Sequence, residues 1–82
     1  MVTVKFFGPT RLMVKRGGVQ VEAVSVNELI DLLTALHKDF PRKTFENSLI
    51  FVNGISTSKL KGFRTKLRDG DEVQIFSPMG GG

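Results

Sequence analysis

One segment of this sequence has the periodicity of a long amphipathic helix, and it limits the folds that the chain can adopt. Ser25 and Glu28 have the S-x-x-E spacing of a capping box, which marks the start of a helix. Apolar side chains then recur with helical spacing, at Val26, Leu29, Ile30, Leu33 and Leu36 or His37. Pro41 predicts that the helix ends at or before Phe40. Because one helix covers only one face of a sheet, the other face must meet solvent or a partner.

The segments on both sides of this helix have the features of β-strands. Apolar and polar residues alternate in VTVKFF and in VQVEAV, and these two strands predict a hairpin with a long loop. After the helix, a polar loop leads to the apolar run SLIFVNG, in which Asn53-Gly54 is a turn signal. Residues 55–67 are mixed and polar, which predicts loop with a short turn of helix or strand. A turn at residues 68–71 then precedes EVQIF, the last strand.

The order of these elements predicts the fold class. A hairpin, a crossover helix and later strands that close a mixed sheet form the β-grasp arrangement, which is that of ubiquitin. We therefore expect an α+β, ubiquitin-like fold, with a mixed sheet of four to five strands and one main helix packed on one face. The residues expected to point inward and form a single core are Val2, Val4, Phe6, Val19, Val21, Leu29, Ile30, Leu33, Ile50, Val52, Leu67, Val73 and Ile75.

The same alternation assigns three phenylalanines to the opposite face of the sheet. Phe7, Phe51 and Phe76 point away from the helix, beside Lys5 and Gln74. Exposed aromatic rings are unfavourable unless something covers them. Two interpretations follow: loops of this chain cover the rings, or the rings form a patch that binds a partner.

Composition narrows the classes of function. The chain of 82 residues is long enough for one domain, and it contains no cysteine and a single histidine. Disulfides, thiolate metal sites and a cysteine nucleophile are thereby excluded, and no metal site is expected. No apolar run approaches the length of a membrane span, and we see no signal peptide, so a cytoplasmic protein is expected.

The positive charge is concentrated in residues 59–68. Lys59, Lys61, Arg64, Lys66 and Arg68 are basic, and no residue of this segment is acidic. Such a segment attracts phosphates or an acidic partner, or it is a solvated loop that keeps the protein soluble. Phe63 is the one aromatic residue available there for stacking on bases, so a nucleic-acid partner is not expected.

The C-terminal segment carries the most specific signal. VKFFGPTR at the start, VNG in the middle and LRDGDEVQIFSPMGGG at the end together resemble the small subunit of molybdopterin synthase, the MoaD family, within the MoaD/ThiS ubiquitin-like sulfur carriers. We expect a β-grasp domain over residues 1–78 and a flexible glycine tail over residues 79–82. Glycines allow the tail to be slim and extended, and Pro78 gives it a set direction.

The resemblance implies a mechanism in which the chain is not an enzyme on its own. The carboxylate of Gly82, next to Gly81, would be adenylated by a ubiquitin-activating-type (MoeB-like) enzyme that uses ATP and Mg²⁺, and this chain would bind no cofactor itself. A sulfur donor would then convert the adenylate to a thiocarboxylate, whose sulfur would build molybdopterin with the large (MoaE-like) synthase subunit. The implied partner contacts are Phe7, Phe76, Met79, Gly80 and Ile55.

The sequence also departs from the family pattern, which keeps other branches open. Ser77 stands where the family often has a first proline, Met79 replaces a branched aliphatic residue, and the net charge of +4 is unexpected. The length of residues 40–48 favours the MoaD branch over the shorter ThiS-like carriers. A ThiS-like carrier for thiamine synthesis, a tRNA-thiolation carrier and a ubiquitin-like protein modifier remain alternatives.

Overall fold

Five strands and two α-helices make up the described part of the chain. The computed structural model describes residues 1–7, 18–36 and 42–76. The elements, in chain order, are β1 (Val2–Phe7), β2 (Gly18–Val21), α1 (Val26–Leu36), α2 (Arg42–Glu46), β3 (Leu49–Val52), β4 (Ile55–Ser56), 3₁₀ turns at Thr57–Lys59 and Gly62–Arg64, and β5 (Glu72–Phe76). The loop predicted between β1 and β2 and the helix stop at Pro41 lie outside these residues.

The strands form one mixed sheet in the order β2-β1-β5-β3-β4. β1 pairs with β2 in antiparallel fashion, as the alternation predicted, and β5 runs parallel to β1 in the centre of the sheet. β3 pairs antiparallel with both β5 and β4. This topology, with α1 on one face, confirms the predicted ubiquitin-like β-grasp fold.

Helix α1 begins where the capping box placed its start. The backbone N–H of Glu28 donates to Ser25 Oγ at 3.2 Å, which satisfies one of the amides left unpaired at a helix N-terminus. Val26, Leu29, Ile30 and Leu33 are buried against the sheet. The prediction that Leu36 faces inward is wrong, because the buried stripe ends at Leu33 and Leu36 is 63% exposed in the last position of the helix; His37 lies outside the described residues.

A second helix replaces part of the polar loop predicted after α1. Residues 42–46 form α2, in which the Arg42 guanidinium donates from Nε to Glu46 Oε2 at 2.8 Å. Arg42 also pairs with Asp31 and donates to Asn27 Oδ1 at 3.1 Å, so it ties α2 to α1. Phe45 is only 1% exposed and belongs to the core. The loop prediction was wrong here because a five-residue helix contributes one buried side chain, too few to produce a periodic pattern.

The hydrophobic core lies between α1 and the sheet. All the residues predicted to form the core are buried except Val19 and Val21, which are half-buried and pack against the core. β2 is also shorter than the segment VQVEAV, because it ends at Val21. Among the described residues, no helix is long and apolar enough to cross a membrane.

Candidate functional site

Four apolar side chains from three adjacent strands meet on the face of the sheet opposite α1. In the strand register, Phe76 of β5 lies between Phe7 of β1 and Leu49 of β3. The rings of Phe7 and Phe76 stack, with centroids 4.6 Å apart and planes 11° from parallel. Phe51 packs its ring edge-on to Phe76 at 5.5 Å. Phe7, Leu49, Phe51 and Phe76 together are called the aromatic patch below.

The aromatic patch is open to solvent. Phe7 and Phe76 each keep 38% of their surface exposed, and Leu49 keeps 64%. The sequence allowed a second interpretation, in which loops of the chain cover the rings, and the segments that follow Phe7 and Phe76 lie outside the described residues. Apolar side chains that lie together at the surface are typical of a site where another protein binds. Leu49 was missed by the sequence analysis, although it has the same alternation as Phe51 and could have been found from it.

A polar strip borders the patch on the same face. Lys5 Nζ lies 3.2 Å from Glu72 Oε1, and Gln74 Nε2 donates to Glu72 Oε2 at 2.6 Å. The hydrogen bond from Gln74, followed by the one from Lys5, holds the pKa of Glu72 below its ordinary value. The outer face is therefore apolar at the end of β5 and charged at its start.

The start of β5 is fixed by hydrogen bonds from the neighbouring turns. Asn53 donates from Nδ2 to Asp71 Oδ1 at 3.0 Å, and its own Oδ1 accepts the Glu72 N–H at 2.9 Å. Asp71 Oδ2 also accepts the Arg68 N–H at 2.8 Å. This backbone hydrogen bond, and then the Asn53 side chain, lower the pKa of Asp71. Because these contacts set where β5 begins, they also set which of its residues reach the aromatic patch.

Asn53 and Gly54 form the tight turn that the sequence predicted. Their φ angles are 52° and 84°, so both residues have the left-handed conformation of a two-residue type I′ hairpin. The turn places β4 beside β3, with Ile55 opposite Val52. Since Val52 faces the core, Ile55 lies on the helix side of the sheet and not on the aromatic patch.

The structure thus brings together only part of the set of partner contacts implied by the sequence. Phe7 and Phe76 are in direct contact, whereas Ile55 is on the edge strand and on the other face. Met79, Gly80, Gly81 and Gly82 lie outside the described residues. The last described residue is Phe76 of the patch, and the C-terminal segment follows it directly in the sequence.

Solved structures with the same fold cover almost the whole chain. The small archaeal modifier protein 1 (SAMP1) from Methanosarcina acetivorans has a TM-score of 0.85 and 26% identity, over 99% of this chain and 95% of that one. Urm1 from Trypanosoma brucei has a TM-score of 0.78 and 27% identity, over 99% and 94% of the two chains. A putative molybdopterin converting factor, subunit 1, from Pyrococcus furiosus has a TM-score of 0.75 and 27% identity, over 95% and 97%.

Sequence comparison identifies the family. No curated protein sequence matches this chain. The profile of the ThiS family, however, matches residues 4–82, from β1 to the last glycine. With this match and the shared β-grasp fold, the resemblance to the MoaD/ThiS ubiquitin-like sulfur carriers is confirmed, and the chain belongs to the ThiS family.

Proposed function

We propose that this protein carries sulfur as a thiocarboxylate on Gly82, and that it supplies this sulfur for molybdopterin synthesis as the small subunit of molybdopterin synthase. The observation that carries the proposal is the family match, which continues through Gly82 and so includes the whole glycine segment. The similarity to a putative molybdopterin converting factor subunit from Pyrococcus furiosus supports the molybdopterin branch.

The proposed chemistry takes place on the C-terminal carboxylate in two steps. An ionised carboxylate is a poor electrophile, so one of its oxygens first attacks the α-phosphate of ATP, and pyrophosphate leaves. Hydrosulfide from the sulfur donor then attacks the carbonyl carbon of the acyl-adenylate, the bond to AMP breaks, and loss of the sulfur's proton leaves the thiocarboxylate. ATP, Mg²⁺ and the catalytic residues belong to the adenylating enzyme, and this chain contributes the glycine segment that reaches them.

The aromatic patch has a defined role in this proposal, because it holds the partner next to the start of the glycine segment. Ordering a flexible segment costs about 1–2 kcal/mol per residue in backbone entropy. Burying one exposed aromatic ring at a protein interface offsets the cost of ordering about one residue of this segment. Phe76 is the last residue of β5, so a partner seated on the patch is directly beside the chain that it must bind.

A second candidate function is protein modification. It is favoured by the similarity to the small archaeal modifier protein 1, with a TM-score of 0.85. Both functions begin with the same acyl-adenylate, and they differ in the group that attacks it or its derivative. A sulfur donor gives the thiocarboxylate, whereas the amine of a lysine gives an isopeptide bond.

Intact-mass spectrometry tests the carrier proposal. The full chain is incubated with ATP, Mg²⁺, its cognate adenylating enzyme and a sulfur donor. We expect a mass gain equal to the replacement of one oxygen by one sulfur, and no gain for a chain that ends at Gly81. If the full chain gains no mass while the same enzyme adenylates it, the sulfur-carrier proposal is wrong.

The acceptor is tested separately, in cells of the source organism. The protein-modifier function would be supported if a tagged full-length chain forms covalent adducts on lysines of other proteins, and if these adducts disappear when the terminal glycines are deleted. Loss of molybdopterin on deletion of Gly82, without such adducts, would support the synthase subunit. Molybdopterin levels that are unchanged by this deletion would rule that role out.

A further inference from the structure

The basic segment at residues 61–66 is held to the domain by its backbone. The Val26 N–H of α1 donates to Thr65 O at 3.0 Å, and the Leu67 N–H donates to Val24 O at 3.0 Å. Thr65 is buried, and its Oγ1 donates to Gly62 O at 2.6 Å and accepts the Lys61 N–H at 3.1 Å. The backbone of the segment is therefore a fixed part of the fold, while the side chains of its cations are exposed.

Gly62 and Phe63 explain how this backbone is shaped. Gly62 has a φ of 58°, a conformation that side chains with a Cβ disfavour. Phe63 packs against the core, and this contact anchors the 3₁₀ turn at Gly62–Arg64 to the domain. Lys61 and Arg64 on either side of this pair are exposed. The cations thus stand on an ordered backbone, which lowers the entropy lost when they bind a ligand.

Three of these cations line an open cavity with a volume of about 720 Å³, together with Ser25 at the start of α1. The cations are Lys61, Arg64 and Lys66. None of the ion pairs formed within residues 1–7, 18–36 and 42–76 involves them. Their charges therefore add to one another at this surface, which attracts anions.

Three of the backbone amides at the start of α1 are already engaged. The N–H of Val26 donates to Thr65, that of Glu28 to Ser25 Oγ, and that of Leu29 to Ser25 O. An anion in the cavity would thus be held chiefly by the three side chains. Arg64 is the best suited of them, because a guanidinium presents several donors in one plane and matches the oxygens of a phosphate.

This cavity lies at the opposite end of the sheet from the aromatic patch. The basic segment leads into the turn before β5 and contacts the chain that follows β2, whereas the patch is at the end of β5. The five residues of β5 span roughly 15 Å at about 3.3 Å per residue. The patch and the cavity are therefore separated by about the length of β5.

We propose that the cavity formed by Ser25, Lys61, Arg64 and Lys66 is a binding site for a phosphate group that carries more than one negative charge. This site goes beyond the proposed sulfur-carrier function and does not depend on it. The phosphate comes either from a small phosphorylated molecule or from the backbone of a nucleic acid. Phe63 is partly buried and packs against the core, which leaves little of its ring for stacking on a base, so the proposed recognition is of the phosphate.

Titration of the full chain with inorganic pyrophosphate at low salt, followed by backbone amide NMR, tests this site. We expect saturable shifts at residues 61–66 and little change at Phe7 and Phe76. Arg64→Ala weakens binding about tenfold or more, since hydrogen bonds to charged groups contribute effects of that order. Lys43→Ala is the matched control, because Lys43 is exposed on α2, does not line the cavity and changes the net charge equally.

Two results would overturn the site. One is a shift that grows linearly with pyrophosphate and does not saturate. The other is an equal loss of affinity in Arg64→Ala and Lys43→Ala, which would mean that net charge alone attracts the anion. Both variants alter exposed side chains, so unchanged amide spectra elsewhere serve as the check that they fold.

A second titration, with an oligouridylate, distinguishes the sources of the phosphate. A nucleic-acid backbone is the source if oligouridylate shifts the same amides and competes with pyrophosphate. Its affinity should then fall steeply as the salt concentration rises. Binding of pyrophosphate alone would identify a small phosphorylated molecule. A chain ending at Gly81 should bind pyrophosphate as the full chain does, so failure of the sulfur-carrier proposal would leave this result unchanged.

Discussion

Phe6 and Phe7 are neighbours in the sequence, yet they lie on opposite faces of one sheet and meet different surroundings. Phe6 is 1% exposed and belongs to the core under α1, whereas Phe7 stacks on Phe76 at a surface open to solvent. The helix-covered face is filled by side chains of the chain itself. The outer face ends in a patch of the same chemical character without such a cover among the described residues. The difference is that apolar side chains are buried in the core on one face and remain partly exposed on the other.

The largest expected effect is on stability, and it belongs to the covered face. Phe6→Ala should lower the free energy of unfolding by about 3–5 kcal/mol, because it removes a large buried side chain and leaves a cavity. Phe7→Ala is the matched control and should cost about 1 kcal/mol, mainly the lost ring stacking. Urea unfolding of both variants measures the two values. Equal losses would show that the two faces do not differ in the way the exposures indicate.

The next largest effect is on the affinity for a partner, and it concerns a residue of the outer face. If the aromatic patch docks the adenylating enzyme, Phe76→Ala should weaken the affinity for that enzyme by about 2 kcal/mol, as expected for an aromatic residue at the centre of an interface. Leu36→Ala provides a control, since Leu36 is exposed on α1, away from the sheet. Calorimetric titration gives both affinities, and an unchanged affinity in Phe76→Ala would contradict the docking role.

The contact between the two stacked rings should be measurable by itself. A double-mutant cycle with Phe7→Ala and Phe76→Ala should give a coupling of about 0.5–1.5 kcal/mol in unfolding free energy. The cycle separates the ring contact from the burial of each residue. A coupling near zero would mean that the rings stack without stabilising each other, and that the patch is ready for a partner at no cost in stability.

The smallest effect concerns the charged half of the outer face. The pKa of Glu72 is lower in the folded chain than in the unfolded one, so its stabilising contribution is present above the unfolded pKa and is lost as the pH falls through the folded pKa. Glu72→Gln should therefore reduce the loss of stability on acidification. Unfolding measured across the acidic range, in both proteins, would show this difference, and parallel curves would argue against it.

The sequence predicted the two faces of the sheet but not everything that lies on them. Alternation assigned Phe6 and Phe7 correctly because a strand reverses its side chains at every residue, whatever its neighbours are. The same rule applied to β3 would have added Leu49 to the patch. Ile55 could not be placed in this way, because its face depends on the geometry of the turn at Asn53-Gly54 and on the pairing that the turn imposes.

Phe45 and the basic cavity show where sequence reasoning stops. Phe45 is buried through tertiary contacts of a very short helix, and no local periodicity marks it. The basic residues of segment 61–66 were visible as a charge cluster, but their arrangement depends on hydrogen bonds between this segment and α1. Such contacts join residues about forty positions apart, so they are set by the fold and are not encoded locally.

The parallel pairing of β1 with β5 has a consequence for the order of events during synthesis. The centre of the sheet joins the first strand of the chain to the last, with Phe7 opposite Phe76. Contacts between residues so distant in sequence form late and slowly, because a long loop must close first. Until Phe76 has left the ribosome, the sheet lacks its middle strand and the core residues Val73 and Ile75. The glycines follow this strand in the sequence, so they leave the ribosome only after the residues that complete the sheet.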